Sequence, residues 1–417
     1  RRDVSRPLSG EQHTEVVVIG GGFTGLSAAL HLAKRGRKVV LLEGKTIGWG
    51  GSGRNNGQVI PVLAGSEPEQ IEKHYGEAGE RLVRLIGDSA DFLFKLAASE
   101  NIACEAEQTG WFQPAHSPGH VNVSQARVEA WNKRGVAAEL LDGNEAAALL
   151  GSSQWYGGML NRTGGHINPL ALARGLAGAC EKYGVEVFEQ SIVDDVQKKG
   201  HRWRVVTSQG AVECDAVLMA TNAYSNELSN SLQRETARSV LPITSFQMAT
   251  EPVSTALRKE ILPGRQAVSD TRGDLHFFRY DARNRLVTGA AMMMTWNAAQ
   301  RLRNLVGKRM ARTFPQLGVP TFSHVWSGFV GITPDHLPHF HQLGDNYWSA
   351  IGFNGRGVAL SVSIGRELAR AIDGDDLNDL ALPLSRPKPI LFHSMARRVA
   401  RGAIAYYRWR DGQQPKV

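Results

Sequence analysis

The chain has 417 residues, 42% apolar and 21% charged, which is long for one core and short for three, so two interleaved domains are expected. Its net charge is +8, but eight Lys and Arg against one Asp lie from Arg386 onward, which leaves a near-neutral body and no charge-based case for nucleic-acid binding. Cys104, Cys180 and Cys214 show neither CxxC spacing nor a secreted framework, and neither an apolar run of about 18 residues nor an apolar stretch after the first arginines occurs. A cytoplasmic protein, soluble or peripheral to the inner membrane, is the expectation.

In chain order, Glu15-Val-Val-Val-Ile19 reads as a buried strand, Gly20 to Gly25 as a tight turn and Leu26 to Lys34 as a helix. Lys38-Val-Val-Leu-Leu42 is a second strand ending on Glu43, so the segment closes as one βαβ unit. Gly48 to Gly57 is too glycine-rich for regular structure. Helical signals run from Glu69 to about Glu100 and again between Pro118 and Leu150. Asn168-Pro169 caps a helix reaching about Tyr183. Val185 to Phe188 and Asp215 to Ala220 are expected as buried strands. From Val240 to about His324 short alternating strands, including Leu275 to Tyr280 and Arg285 to Gly289, surround one helix near Asn297 to Thr313. Tyr347-Trp-Ser-Ala-Ile351, the turn Gly352-Phe-Asn-Gly-Arg-Gly-Val358 and a helix to about Ile372 repeat the opening order of strand, glycine turn and helix. Leu382 to Pro389 reads as a linker.

Gly20-Gly21-Gly22-Phe23-Thr24-Gly25 satisfies GxGxxG between a strand and a helix, as dinucleotide binding requires. Gly20 makes the turn, Gly22 admits a pyrophosphate, and Gly25 lets helix and strand approach. Glu43 supplies the ribose acceptor. The polar glycine loop Thr46 to Gly57 follows that acid directly, offers backbone amides and the Ser52 hydroxyl to a pyrophosphate, and then passes under a flat ring at Asn55 to Gln58. This loop favours FAD over NAD.

These segments, with Gly165-His166, Ala220-Thr221, Trp326-Ser-Gly-Phe and Gly352 to Val358, resemble the D-amino acid oxidase-like family of FAD-dependent oxidoreductases across most of residues 15 to 375. The resemblance implies an α/β fold (α+β overall). A Rossmann-like FAD-binding domain would be assembled from residues 1–80, 151–230 and 325–380. A substrate domain with an antiparallel sheet would take 81–150 and 231–324, and a basic helical tail 381–417. It implies cofactor contacts from Gly20, Gly22, Phe23, Thr24 and Gly25 and from Glu43, Gly44 and Lys45. Further contacts are implied from Gly51, Ser52, Arg54, Asn55, Asn56, Gly57 and Gln58, from Ile192 and Val193 beside the adenine, and from Ala220, Thr221, Asn222 and Gly328. Asn354, Gly355, Arg356, Gly357 and Val358 would approach the pyrimidine side of the flavin, where a helix N-terminus and a guanidinium stabilise negative charge. No cysteine lies near Trp326, so FAD is expected without a covalent bond. No metal is expected, although His336 and His339 are spaced His-x-x-His.

Amino acid oxidases of this family hold the substrate carboxylate with an Arg just after the Trp-x-Gly strand and often with another near the final glycine turn, and here the first of these places is Val330. The departure points to a primary or secondary amine, such as a gamma-glutamylputrescine-like acylated amine of polyamine catabolism. Hydride transfer to flavin N5 would give an imine hydrolysed to an aldehyde, with oxygen or a quinone as electron acceptor. A D-amino acid or glycine/sarcosine-type oxidase with Arg279 or Arg356 as clamp is the alternative, and a non-catalytic flavin-binding or redox-sensing protein a third. His166 is the candidate base, set against a purely structural role. Met292-Met293-Met294 and Trp296 are expected in substrate-domain packing. The tail from Phe392 to Arg410 mixes arginines and aromatics, so it is expected to pack on the FAD domain or to touch an anionic membrane.

Overall fold

The computed structural model describes residues 6–225, 233–292 and 296–413. The β-branched runs read from the sequence are buried on both faces, as a parallel sheet demands. They form a six-stranded sheet in the order His339–Gly344, Tyr347–Ile351, Ala216–Met219, Val16–Ile19, Val39–Leu42, Glu186–Phe188, parallel except for the first. The N-terminal strand is therefore central. Val16 and Val18 face the helices, while Val17 and Ile19 face a four-stranded sheet on the opposite side. That sheet pairs Gly10–His13, Gly210–Cys214, Arg202–Thr207 and Val193–Lys199. Its strands alternate with charged, solvated side chains, which hides them from a search for apolar runs.

Helix Phe23–Lys34 packs against Gly357–Asp373 because both offer small residues at the crossing. A Cβ on Gly365 would stand 2.6 Å from Ser27 Cβ and 2.6 Å from the Thr24 carbonyl, and Ser27 Oγ donates to the Val362 carbonyl at 2.6 Å. The helical stretch 69–100 is divided at Gly76 (φ +57°) into Pro68–Tyr75 and Glu77–Ser99.

The second large sheet has eight strands, in the order Phe322–Ile332, Leu241–Thr250, Leu286–Ala291, Phe277–Tyr280, Ala267–Ser269, Trp111–Pro114, Gly157–Asn161, Ala138–Asp142. The pairing of Ala267–Ser269 with Trp111–Pro114 is parallel and the others are antiparallel. Phe112, Leu160, Phe278, Tyr280 and Phe314 form its core with helix Ala298–Thr313. Strand Ala138–Asp142 replaces part of the helical stretch expected before Leu150, lying between helices Pro118–Asn132 and Gly143–Leu150. Gly51–Arg54 forms one helical turn inside the loop expected to be irregular.

The two sheets exchange segments across the boundaries drawn from the sequence. Gly157–Asn161 and Phe322–Ile332 pair into the eight-stranded sheet, and helix Glu77–Ser99 crosses residue 80 to pack with the parallel-sheet core. Met292 is buried, but Trp296 is 80% exposed and so not packed as expected, and Met293 and Met294 lie outside the described residues. The tail helix His393–Gln413 starts beside strand Leu241–Thr250, with His393 Nε2 2.9 Å from the Val240 carbonyl and the Arg397 guanidinium 5.5 Å from the Phe329 ring centre. Its Met395, Val399, Tyr406 and Trp409 are exposed. Among the described residues no helix is long and apolar enough to cross a membrane.

Candidate cofactor and substrate site

A cavity of about 620 Å³ opens between the parallel sheet's glycine turns and the inner face of the eight-stranded sheet. Gly20 takes φ +111°, a conformation that only glycine adopts freely, and a Cβ there would stand 2.9 Å from the Ala220 carbonyl oxygen. A Cβ on Gly25 would lie 2.1 Å from the Gly20 carbonyl oxygen, so that turn closes only around glycine. Helix Phe23–Lys34 starts at Gly22 with no side-chain cap and no acid in its first turn, which leaves its amide end for an anion. Ser52 Oγ accepts from the Phe23 amide at 3.0 Å and ties the following loop to this end.

Glu43 is buried, and each carboxylate oxygen accepts one backbone amide at 2.8 Å, from Gly21 and from Lys45. Burial pushes its pKa up even so, and the two amides oppose the shift. Asn55 and Asn56 brace the loop: Asn55 Oδ1 accepts from Gly57 N at 2.7 Å, and Asn56 Oδ1 from Gln58 N at 2.9 Å. Asn222 Oδ1 accepts from Gly352 N at 3.0 Å, and Asn354 Oδ1 from Thr333 N at 2.9 Å, so the late glycine turn is latched to the turn after strand Ala216–Met219 and to the end of strand Phe322–Ile332. Helix Gly357–Asp373 likewise begins without a side-chain cap or an acid. One chamber thus presents two uncapped helix ends, a buried carboxylate and a glycine floor.

The family model for FAD-dependent oxidoreductases named DAO matches residues 15–371. The chain belongs to the DAO family of FAD-dependent oxidoreductases. It is 33% identical to the probable oxidoreductase OrdL of Haemophilus influenzae over 89% of this chain and 85% of that one. It is 32% identical to gamma-glutamylputrescine oxidoreductase of Escherichia coli, over 95% of this chain and 92% of that one. Glycine oxidase from Geobacillus kaustophilus superposes with a TM-score of 0.73 at 21% identity, covering 88% of this chain and 96% of that one, and so shares the fold.

The residues of this DAO-family chain fit the cofactor. The glycine turn leaves no Cβ where a pyrophosphate would pass, Glu43 can take ribose hydroxyls, and the buried Gln58 Oε1 at the expected ring position has no hydrogen-bond partner among the described residues. All the cofactor residues expected from the sequence line the cavity except Gly25, Lys45 and Gly57. These three shape it from behind through the close approach to Gly20, the amide given to Glu43, and a turn at φ +77° whose Cβ would stand 2.1 Å from the Ile167 carbonyl oxygen. Arg54 lines the cavity but spends Nε on the Trp49 carbonyl at 2.5 Å and Nη1 on that of Ser327 at 3.1 Å.

Two of the three expected catalytic residues do not line the cavity. His166 is fully buried in the short strand paired with Gln58–Val59, with Nε2 3.0 Å from the Arg265 carbonyl. Burial, reinforced by the Arg279 charge, lowers its pKa to about 3, so it is a neutral histidine packed outside the cavity lining. Arg279, 5% exposed, gives Nε to the Asn56 carbonyl at 2.5 Å and Nη1 to that of Tyr280 at 2.8 Å, which makes it a strut beneath the ring loop rather than a substrate clamp. Arg356 does line the cavity. Its guanidinium crosses to the eight-stranded sheet, where Nη1 donates to Ser269 Oγ at 3.3 Å and the group lies 5.2 Å from the Trp111 ring centre. His339 Nε2 is held by Asp335 at 2.9 Å.

Sequence reasoning missed the cavity wall contributed by Gln113, Arg127, Gln247, Ser269, Asp270, Arg272 and Phe277. None sits in a motif; strand pairing brings Gln113, Gln247, Ser269 and Phe277 together, while Arg127 comes from helix Pro118–Asn132 and Asp270 and Arg272 from the loop after Ala267–Ser269.

His166 also sets an acid limit on stability. The unfolded chain takes up this proton near pH 6.5, whereas the folded chain refuses it until about pH 3. This group therefore lowers the unfolding free energy as pH falls through that window, by about 1.4 kcal/mol per pH unit. In His166→Asn the slope of stability against pH, from urea unfolding between pH 6.5 and 4, is expected to lose close to one proton. An unchanged slope would refute the assignment.

Proposed function

We propose that this DAO-family enzyme oxidises a primary or secondary amine, with a gamma-glutamyl-type acylated amine as the substrate class and FAD held without a covalent bond. The observation that carries the reading is Val330. It lines the cavity where amino acid oxidases of the family place a clamping arginine, so the wall at that point is apolar and takes the carbon chain of an amine. The Escherichia coli relative that acts on gamma-glutamylputrescine supports the class. That the three cysteines are buried and none lines the cavity supports a non-covalent cofactor.

FAD, when bound, supplies a two-electron acceptor for hydride. The surrounding residues bind, orient and exclude water. Glu43 and the amide end of helix Phe23–Lys34 would hold the nucleotide, the Asn55–Gln58 loop would carry the ring, and Phe277 and Val330 would keep the reacting carbon dry. A neutral amine that loses hydride from its α-carbon becomes an iminium, so no side chain has to act as base. Water then converts the iminium to an aldehyde and an ammonium ion, and oxygen or a quinone removes the electrons.

An anaerobic panel tests this. Gamma-glutamylputrescine is expected to bleach the flavin at least ten times faster than D-alanine, glycine or sarcosine. Faster bleaching by a free amino acid would favour the oxidase alternative, for which Arg356 remains the one expected clamp that lines the cavity. A yellow protein that no amine bleaches would make it a flavin-binding or redox-sensing module.

A further inference from the structure

The register of the eight-stranded sheet places five residues in one transverse row. Gln247 pairs with Gly289. Continuing the Arg279 to Val287 register brings Gly289 opposite Phe277, which in turn pairs with Ser269. The parallel pairing of Ala267 with Trp111 and Val268 with Phe112 then sets Ser269 beside Gln113. Laterally paired residues point to the same side of a sheet, and here the four with side chains all line the cavity. The row is polar at both ends and apolar or bare in the middle.

Its ends have opposite demands. Among the described residues four arginines line the cavity, and three are spoken for: Arg127 pairs with Glu67, Arg272 with Asp270, and Arg54 with two backbone carbonyls. Arg356 has a serine hydroxyl and an aromatic face but, among the described residues, no carboxylate, although it is only 9% exposed. A buried cation without an anion is costly, and a ligand carboxylate would remove that cost. At the other end, buried Gln247 gives Nε2 to Ser245 Oγ at 3.0 Å, while its Oε1 has no partner among the described residues. That oxygen wants an N–H donor. Gln247 lies opposite Trp326, whose Nε1 donates to the Arg54 carbonyl at 2.8 Å, so this end adjoins the cofactor loop.

We propose that the row is a ruler for a two-ended substrate, in which Arg356, seated on Ser269, takes a carboxylate and Gln247 Oε1 accepts an N–H of the amine undergoing oxidation. This rests on the amine-oxidation reading and adds a length and a charge to it. Three strand spacings separate Ser269 from Gln247, roughly 14 Å. Allowing for the inward reach of both side chains, that spans roughly eight to twelve bonds of extended chain between carboxylate carbon and nitrogen. Phe277 and the bare Gly289 leave the middle to methylenes or an amide. Gln247 is a positioning residue here.

The test uses the flavin-loaded holoenzyme with ω-amino carboxylates from glycine to 12-aminododecanoate, each beside the alkylamine of equal length, following anaerobic flavin bleaching. Bleaching is expected to peak within eight to twelve bonds, with the carboxylate worth about 30-fold over the plain amine, as one charged hydrogen-bonded contact provides. Arg356→Gln should narrow that ratio below about 3-fold, while Arg356→Lys should retain part of it. Gln247→Leu should slow acids and plain amines alike, about tenfold. An optimum at glycine or D-alanine would overturn the ruler and leave amine oxidation standing. Equal slowing of acids and plain amines in Arg356→Gln, with a shifted flavin potential, would assign Arg356 to the cofactor and overturn the carboxylate site. Should no amine bleach the flavin, the oxidation reading falls, and dodecanoate decides the subsite on its own: loss of its perturbation of the flavin spectrum in Arg356→Gln supports it, and no change overturns it.

Discussion

Replacing Gly25 by alanine is expected to give a folded but colourless protein. The added methyl group would stand 2.1 Å from the Gly20 carbonyl oxygen and 3.1 Å from Val18 Cγ1. Neither can yield cheaply, since the first is backbone at a φ of +111° and the second belongs to the central strand. The start of the helix must move outward, and the amides aimed at the pyrophosphate move with it. Overpacking of this kind costs about 1–3 kcal/mol. Because the displacement falls on the anion site, a loss of FAD affinity of at least about 100-fold is expected, larger than the loss of stability suggests. Flavin absorbance after dialysis against FAD, with circular dichroism on the same sample, checks both parts. A yellow Gly25→Ala protein of normal affinity would refute the assigned role. Gly178, whose Cβ would meet nothing within 4 Å, is the matched control.

Removing the Arg279 side chain is expected to destabilise the protein by about 3–5 kcal/mol and to slacken the ring loop. Two buried carbonyl oxygens, of Asn56 and Tyr280, would lose their donors, and a void would open beneath Gly57. Burial holds its pKa down to about 10, still well above neutrality, so a fixed cation is lost as well. Arg279→Ala should therefore weaken FAD binding and slow every amine alike. If instead KM rose only for carboxylate-bearing amines, with Tm unchanged, Arg279 would be a substrate clamp after all.

The cofactor half of the site was legible because its chemistry is contiguous. Turn, helix, acid and loop follow one another between residues 15 and 58, and each constraint acts on near neighbours. The second glycine turn could be read because it repeats the same local order. The substrate wall could not, since Gln113, Gln247, Ser269, Phe277 and Gly289 lie on separate strands and meet only through pairing register. Arg279 and Arg356 look alike as isolated arginines. Burial against backbone carbonyls makes the first a strut, and a face on the cavity makes the second a candidate ligand-binding group. The solvated four-stranded sheet was lost for the opposite reason: its outward charges mask a real inner face formed by Val205 and Val212.

The central position of Val16–Ile19 has a consequence for synthesis. This early strand is hydrogen-bonded to Ala216–Met219, which in turn pairs with Tyr347–Ile351, and the Asn222 latch waits for Gly352. A nascent chain emerging from a ribosome therefore holds an open half-cradle until nearly its last strand has been made. Flavin capture is therefore expected only after about residue 352 has been made, and a protein truncated before residue 351 would be expected to emerge as apoprotein with exposed strand edges and a tendency to aggregate.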